Sequence, residues 1–164
     1  MRGTNVRTLV SWLVACSIVF GTASAAVTKP HVALIIHQAL VVTQAGKAKV
    51  EAVPKAGAKR GQVLRYTIIA KNTGAAPAFD LAPLGKVPAN TVFVAGSAAP
   101  RTAVEYSLDG HAFSPKPMKK IVAANGKVTY VPADPATYVA VQWHNAHPLK
   151  AHATQLFSYE VRIK

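Results

Sequence analysis

The stretch VLRYTIIAK, from Val63 to Lys71, decides the fold class because its residues alternate between two characters. One alternate set is apolar or aromatic: Leu64, Tyr66, Ile68 and Ala70. The other set includes the polar residues Arg65, Thr67 and Lys71. Successive side chains of a β-strand point to opposite faces, so this pattern predicts a strand with one face in a core and the other in water.

The same alternation recurs elsewhere in the chain. It is found in Phe157, Tyr159, Val161 and Ile163 against Ser158, Glu160, Arg162 and Lys164; in Val139, Val141 and Trp143 against Ala140 and Gln142; and in Ala48, Val50 and Ala52 against Lys47, Lys49 and Glu51. Each segment is predicted to be a half-buried strand. The segment 32–42 is more evenly apolar, which predicts a strand that passes between sheets or is buried on both faces.

Turn signals separate these segments. Asp109-Gly110 and Asn125-Gly126 lie between short apolar runs and tolerate the positive φ angles of tight hairpins. The prolines fall between the candidate strands, and no segment shows a helical stripe of apolar residues. Residues 30–164 are therefore predicted to be all-β, an antiparallel β-sandwich of about seven to nine strands in two sheets. The predicted core comprises Leu64, Tyr66, Ile68, Val141, Trp143, Phe157, Tyr159 and Val161.

Two details of the strand pattern carry structural predictions. Tyr66 and Trp143 lie on inward faces, and each has a polar tip that needs a hydrogen-bond partner. The tripeptide Asn72-Thr73-Gly74 suits the exit of a strand, because Asn can bond to the main chain beyond it and Gly supplies unusual dihedral angles.

The N-terminus has the pattern of a cleaved secretory signal. Arg2 and Arg7 precede an apolar run from Leu9 to Phe20, and small residues follow in the order of an A-x-A cleavage site. We expect residues 1–25 to be a signal peptide and residues 26–164 to be a single domain, with Ala26 or Val27 as the first residue after cleavage. Leu13-Val14-Ala15-Cys16 resembles a lipoprotein box, but apolar residues follow Cys16 where a lipoprotein turns polar.

Composition narrows the classes of function. The chain has 164 residues, one cysteine, and 19 Lys and Arg residues against 6 Asp and Glu residues, for a net charge of +13. Without residues 1–25 the remaining 139 residues contain no cysteine and keep 17 basic and 6 acidic side chains. This excludes a disulfide framework and a thiolate metal site in the exported part. Residues 26–164 contain no further apolar stretch long enough to span a bilayer.

The basic charge indicates an anionic partner. On the strand prediction Lys47, Lys49, Arg65 and Lys71 all face solvent, and a cationic face attracts polyanions. For an exported protein we expect an anionic polymer of the cell envelope or another surface protein as partner, not nucleic acid. The alternative interpretation is that the charge only keeps the domain soluble. The oligomeric state stays open.

Catalytic and metal-binding patterns are weak. His144, His147 and His152 lie in one loop and are the only candidate ligands for Zn or Cu, but no acid lies nearby in the sequence and the loop contains a proline. The serines lack a nucleophile-elbow pattern and the carboxylates lack a suggestive pair. The sequence predicts neither an enzyme nor a cofactor.

Several motifs, taken together, resemble a known family. They are Gly61-x-x-Leu64-x-Tyr66-Thr67-Ile68 leading into Asn72-Thr73-Gly74, then VPANTVFVAGSA (Val87–Ala98), YSLDG (Tyr106–Gly110), YVAVQWH and FSYEVRIK. This order resembles the bacterial conserved-repeat domain of unknown function number eleven, over about residues 28–164. The resemblance implies an immunoglobulin-like β-sandwich of exported and cell-surface proteins, with no known catalytic residues. That family often occurs in tandem copies, whereas this chain has one.

These observations predict an exported, non-catalytic module of the bacterial cell envelope or surface, located in the periplasm or outside the cell, that acts by binding or structure. The alternative function is periplasmic binding of a metal or small ligand by the loop from His144 to His152.

Overall fold

The computed structural model describes residues 29–145 and 147–164. Eleven strands account for the regular structure of this part of the chain, and its only helical segment is a 3-10 turn at Pro135–Thr137. The strands are β1 Val32–Gln44, β2 Lys47–Ala52, β3 Val63–Asn72, β4 Leu84–Lys86, β5 Thr91–Phe93, β6 Val104–Ser107, β7 Phe113–Ser114, β8 Met118–Val122, β9 Val128–Pro132, β10 Ala140–Trp143 and β11 Thr154–Ile163.

The strands form two main sheets and a separate ribbon, and every pairing is antiparallel. The larger sheet has the order β2-β1-β3-β11-β5, and the smaller has the order β4-β10-β6-β7. The ribbon pairs β8 with β9. The predicted all-β sandwich is confirmed. The predicted strand number was too low, because short edge strands and the ribbon add to the count.

Aromatic rings pack between the two main sheets. Trp143 of β10 lies against Phe157 and Tyr159 of β11, with ring centroids 5.4 and 6.4 Å apart. Phe93 of β5 meets Tyr106 of β6 edge-on at 5.4 Å. Burying large rings supplies much of the free energy that holds two sheets together.

The core prediction is confirmed for seven of its eight residues, which are buried: Leu64, Ile68, Val141, Trp143, Phe157, Tyr159 and Val161. Tyr66 is half-buried and packs against the core edge, with its ring stacked on Tyr159 at 5.2 Å. The two polar tips have partners. The Tyr66 hydroxyl accepts from Gln38 Nε2 at 2.9 Å, and Trp143 Nε1 donates to the Pro100 carbonyl at 2.9 Å.

Three predictions about burial were wrong. Strand β1 is not buried on both faces, since Leu34 and Ile36 are 56% and 62% exposed. Every residue of β2 is exposed because β2 lies at the outer edge of the sheet. Val139 is also exposed, because it precedes β10, which begins at Ala140.

Asn72 and Gly74 end β3 as the sequence predicts, but glycine is required at position 74 for a different reason. Asn72 is fully buried and bonds to the main chain beyond it, at Gly74 and Ala76. Gly74 does not have a positive φ. A Cβ at this position would instead lie 2.5 Å from the Lys29 carbonyl oxygen and 2.6 Å from the His31 nitrogen, so the close approach of main chain requires glycine.

Candidate functional site

The four cations predicted to form one basic face lie on two faces of the larger sheet. In the β1–β2 register Lys47 and Lys49 oppose Gln44 and Val42. These even-numbered positions of β1 share the face of Leu40, which is buried in the core. In the β1–β3 register Arg65 and Lys71 oppose Ala39 and Ala33, which lie on the other face. Directly opposed residues share a face, so the sheet separates the two pairs.

Two of these four cations are also paired with carboxylates. Lys49 Nζ lies 3.5 Å from Glu51 Oε1. Arg65 on β3 donates from Nη2 and Nε to Glu160 Oε1 on β11, at 2.7 and 3.0 Å. Such pairs lower the positive potential where they lie, so this group of residues is a weaker anion site than its sequence indicates.

The histidine loop brings two of its three imidazoles to one groove. His144 and His147 line a groove of about 370 Å³ next to Trp143 and Phe157. His144 Nε2 lies 2.9 Å from Glu105 Oε2, and both side chains reach solvent. His152 lies apart in a turn with φ 59°. Among the described residues no three His, Cys, Asp or Glu side chains come together as metal ligands.

Two amide side chains that line the groove are already hydrogen-bonded to each other. Asn145 and Gln155 exchange two amide hydrogen bonds, with N–O distances of 2.6 and 3.1 Å. A ligand in this groove would meet the His144 imidazole, which is paired with Glu105, the His147 imidazole, and two amides that are bonded to each other. These groups can form hydrogen bonds with a small polar molecule.

The most perturbed acid has a structural role. Asp109 Oδ1 accepts main-chain hydrogen bonds from His111 and Ala112 at 2.8 and 2.9 Å, and a third from the Ser107 hydroxyl at 3.0 Å. These donors lower the pKa of Asp109 to about 2. Burial raises the pKa of the Tyr159 hydroxyl, which donates to the Lys86 carbonyl oxygen. Neither group is poised to transfer a proton near neutral pH.

The β8–β9 hairpin concentrates unpaired positive charge. We define it as residues 116–133, with Pro117 and Ala133 buried at its base and the Ala133 N–H bonded to the Pro117 carbonyl at 2.9 Å. Its four lysines, all exposed, are Lys116, Lys119, Lys120 and Lys127. The segment contains no Asp or Glu, and among the described residues no carboxylate lies within ion-pair distance of these lysines.

Apolar side chains accompany the lysines on the hairpin. In its register Met118, Val122, Val128 and Tyr130 share one face with Lys120. These apolar residues are exposed, Tyr130 to 61% and Val122 to 60%. A two-stranded ribbon outside both main sheets leaves such side chains in water. Exposed apolar side chains beside cations are typical of a binding surface rather than of a solubilising one.

The sequence contained a signal for this hairpin. Asn125-Gly126 marked its turn, and Gly126 has the positive φ of 80° that the turn requires. The distribution of charge marked its surface, since no acid occurs between Asp109 and Asp134 while four lysines do. The signal was missed because the basic residues between 47 and 71 are more numerous.

Comparisons of the chain with family models, with curated proteins and with solved structures return no match. The resemblance to the conserved-repeat domain therefore stays a prediction from its motifs. Among the described residues no helix is long and apolar enough to cross a membrane.

Proposed function

We propose that this protein is an exported, non-catalytic β-sandwich module of the bacterial cell envelope or surface that binds anionic polymers there. The β8–β9 hairpin is the proposed binding surface. The observation that carries this proposal is the set of four exposed lysines on a ribbon that contains no acid. The proposal keeps the anionic partner predicted from composition and moves the site from the larger sheet to the hairpin.

Electrostatics favours the hairpin over the larger sheet. Of the six acids, Glu51, Glu105 and Glu160 are paired with basic side chains away from the hairpin. Among the described residues no carboxylate pairs with the hairpin lysines, and a region of one sign raises the local concentration of counter-ions and speeds association. Tyr130 and Val122 offer apolar contact to sugar rings or other uncharged parts of such a polymer.

The export part of the proposal rests on the signal pattern of residues 1–25, which lie outside the described residues. N-terminal sequencing of the protein recovered from its host tests it. We expect Ala26 or Val27 as the first residue. A lipid-modified N-terminus at Cys16, or an intact Met1, would contradict it.

Retention on heparin across a salt series tests the anionic partner. We expect the fourfold Ser variant of Lys116, Lys119, Lys120 and Lys127 to elute at lower salt than wild type. By the slope known for single-stranded polyanions, losing four contacts lowers the dependence of log affinity on log salt by about 3. Exposed side chains are changed, so stability should vary by less than about 0.5 kcal/mol.

A second fourfold Ser variant provides the matched control. It changes the exposed residues Lys47, Lys55, Lys59 and Lys71, and therefore removes the same charge from other parts of the surface. We expect it to retain most of the wild-type slope. If both variants elute alike, the binding depends on net charge alone and the hairpin is not the site. If neither variant differs from wild type, the proposal of anion binding is wrong.

Binding of a small polar ligand or metal ion in the groove beside His144 is the second candidate function. The observation that favours it is that His144 and His147 line the same groove, with the Trp143 ring in its wall. Titration with Zn²⁺, followed by tryptophan fluorescence, tests it on wild type and on the His144→Ala/His147→Ala variant. A saturable change in wild type alone would support this function, and identical flat titrations would reject the metal.

A further inference from the structure

The outer edge of the larger sheet is only half covered. Strand β1 has 13 residues, but β2 pairs only with the part from Ala39 to Gln44. Among the described residues no strand pairs with the other part, Val32–Gln38, on this edge. We call Val32–Gln38 the free edge. Its opposite side is paired with β3 over its full length.

The free edge presents unpaired main-chain groups. The Thr73 N–H donates to the His31 carbonyl at 2.7 Å, so odd-numbered residues of β1 direct their main-chain groups towards β3. The even-numbered residues Leu34 and Ile36 then direct their N–H and C=O groups outward. A row of such groups is a template for another strand.

The side chains of the free edge lack the usual protection against pairing. Edge strands of monomers carry lysine, proline or a bulge that discourages another strand. The free edge contains no Lys, Arg, Asp, Glu, Pro or Gly. Leu34, Ile35 and Ile36 are 56%, 46% and 62% exposed, on both faces of the sheet. In a chain with a net charge of +13, this segment contains no Lys or Arg that would repel the same segment of a second copy.

The free edge is complementary to itself. In an antiparallel ladder two residues exchange hydrogen bonds only if both direct their main-chain groups to the shared edge. With Ile35 opposite Ile35 of the second copy, Leu34 lies opposite the second copy's Ile36, and Val32 opposite its Gln38. In this register the residues that exchange hydrogen bonds are Val32, Leu34, Ile36 and Gln38. All four are even-numbered, as the ladder requires. Directly opposed residues share a face, so Leu34 packs beside the second copy's Ile36.

The position of β2 limits this pairing to the same seven residues in both copies. Strand β2 occupies the same edge beyond Gln38, so an incoming strand must stop at that point. Pro30, two residues before the free edge, has no N–H to extend the ladder. Since both copies use the same segment, the association closes as a two-fold dimer and does not grow into a fibre.

We infer that the free edge Val32–Gln38 pairs with the same segment of a second copy of this chain, joining two larger sheets into one sheet of ten strands. An open groove of about 320 Å³ supports this inference, because Ile36 of the free edge lines it together with Leu84 of β4 and Tyr159 of β11. Pairing places the second copy's Leu34 opposite Ile36 and therefore next to this groove. This inference does not depend on the proposed anion binding.

Light scattering of the purified protein across a dilution series tests the inference. We expect a concentration-dependent shift from monomer to dimer that strengthens with rising salt, because salt screens the repulsion between two basic chains. Binding to an anionic polymer weakens with salt, so the two proposals can fail separately. A monomer at all concentrations and salts would overturn the inference.

Two variants locate the contact. Ile36→Lys places a charge on the free edge and should raise the dimer dissociation constant at least about tenfold. Its control is Leu156→Lys, which is 58% exposed on the same sheet but two strands away from the free edge, and it should leave the constant unchanged. An equal effect of both variants, or of neither, would overturn the proposed contact.

A proline variant tests the main-chain ladder itself. The N–H of Leu34 faces outward, so Leu34→Pro should remove the dimer and leave the fold intact. The N–H of Ile35 faces β3, so Ile35→Pro should lower the thermal midpoint instead. Circular dichroism of the Leu34→Pro chain is the measurement that checks whether it is folded. A folded Leu34→Pro variant that still forms the dimer would contradict strand pairing at this edge.

Discussion

Asn72 shows how one buried side chain connects distant parts of this chain. It is fully buried, and five main-chain groups lie within hydrogen-bonding distance of its amide, three of them sharing the two N–H hydrogens. The oxygen accepts from the N–H groups of His31 and Gly74, and the nitrogen donates to the carbonyl groups of Ala76, Leu149 and Lys150. The start of β1, the end of β3 and the segment before β11 therefore meet at one side chain.

We expect Asn72→Ala to lower the free energy of unfolding by at least about 3 kcal/mol. The substitution removes the hydrogen bonds of one side chain to several buried or partly buried main-chain groups, and each such bond contributes about 0.5–1.5 kcal/mol. Urea unfolding measures this change. Asn125→Ala is the control, since the Asn125 amide accepts one bond in an exposed turn, and it should cost less than about 1 kcal/mol. Equal losses for the two variants would contradict the role of Asn72.

Asp109 predicts a pH dependence of stability. Hydrogen bonds from His111, Ala112 and Ser107 lower its folded-state pKa from 3.8 to about 2. Because this pKa is lowered on folding, the ionised Asp109 carboxylate makes its whole contribution to stability above the unfolded-state pKa. That contribution is lost as pH falls through the folded-state pKa. We expect wild type to lose more stability than Asp109→Asn between about pH 4 and pH 2. Urea midpoints across this range provide the measurement, and parallel curves would contradict the assignment.

At the scale of elements, the β8–β9 hairpin stands outside the sandwich. Its strands pair with each other and with no strand of the main sheets among the described residues. All residues of β8 are exposed, and in β9 only Val131 is half-buried. Removing such a ribbon takes little apolar area out of the core, so its contribution to stability is small.

We expect a shortened hairpin to leave the fold intact. Replacing residues 120–130 by Asn-Gly joins Lys119 to its cross-strand partner Val131 through a two-residue turn. The free energy of unfolding should change by less than about 1 kcal/mol, because the removed side chains are exposed and the loop becomes shorter. Thermal unfolding measures this, and heparin retention should weaken in the same variant. Loss of a cooperative transition would show that the hairpin supports the sandwich.

At the scale of the whole molecule, charge is the dominant feature. A net charge of +13 with few acids makes the folded chain repel itself. We expect the thermal midpoint to rise as NaCl increases from about 10 mM to about 150 mM, because the screening length falls from about 30 Å to about 8 Å. The fourfold Ser variant of the hairpin should show a smaller rise. A midpoint that falls with salt would contradict this account.

The sequence by itself determined the fold class and most of the core. Alternation with a period of two is a local property of a strand, so it identified Leu64, Ile68, Val161 and their neighbours before any pairing was known. The Asn-Gly and Asp-Gly dipeptides located two turns for the same reason, since Gly110 and Gly126 both have positive φ angles. Polar tips that need partners were also predictable residue by residue.

Only the tertiary structure decided which residues share a surface. Lys47 and Arg65 look alike in the sequence, but the registers of β2 and β3 on β1 place them on opposite faces of the sheet. Likewise, Leu34 and Leu40 belong to one apolar run, but Leu40 is buried and Leu34 is exposed. Burial depends on how far neighbouring strands extend, and those neighbours come from distant parts of the chain. A local pattern does not encode this, because register and strand length are set by the pairing of segments that are far apart in sequence.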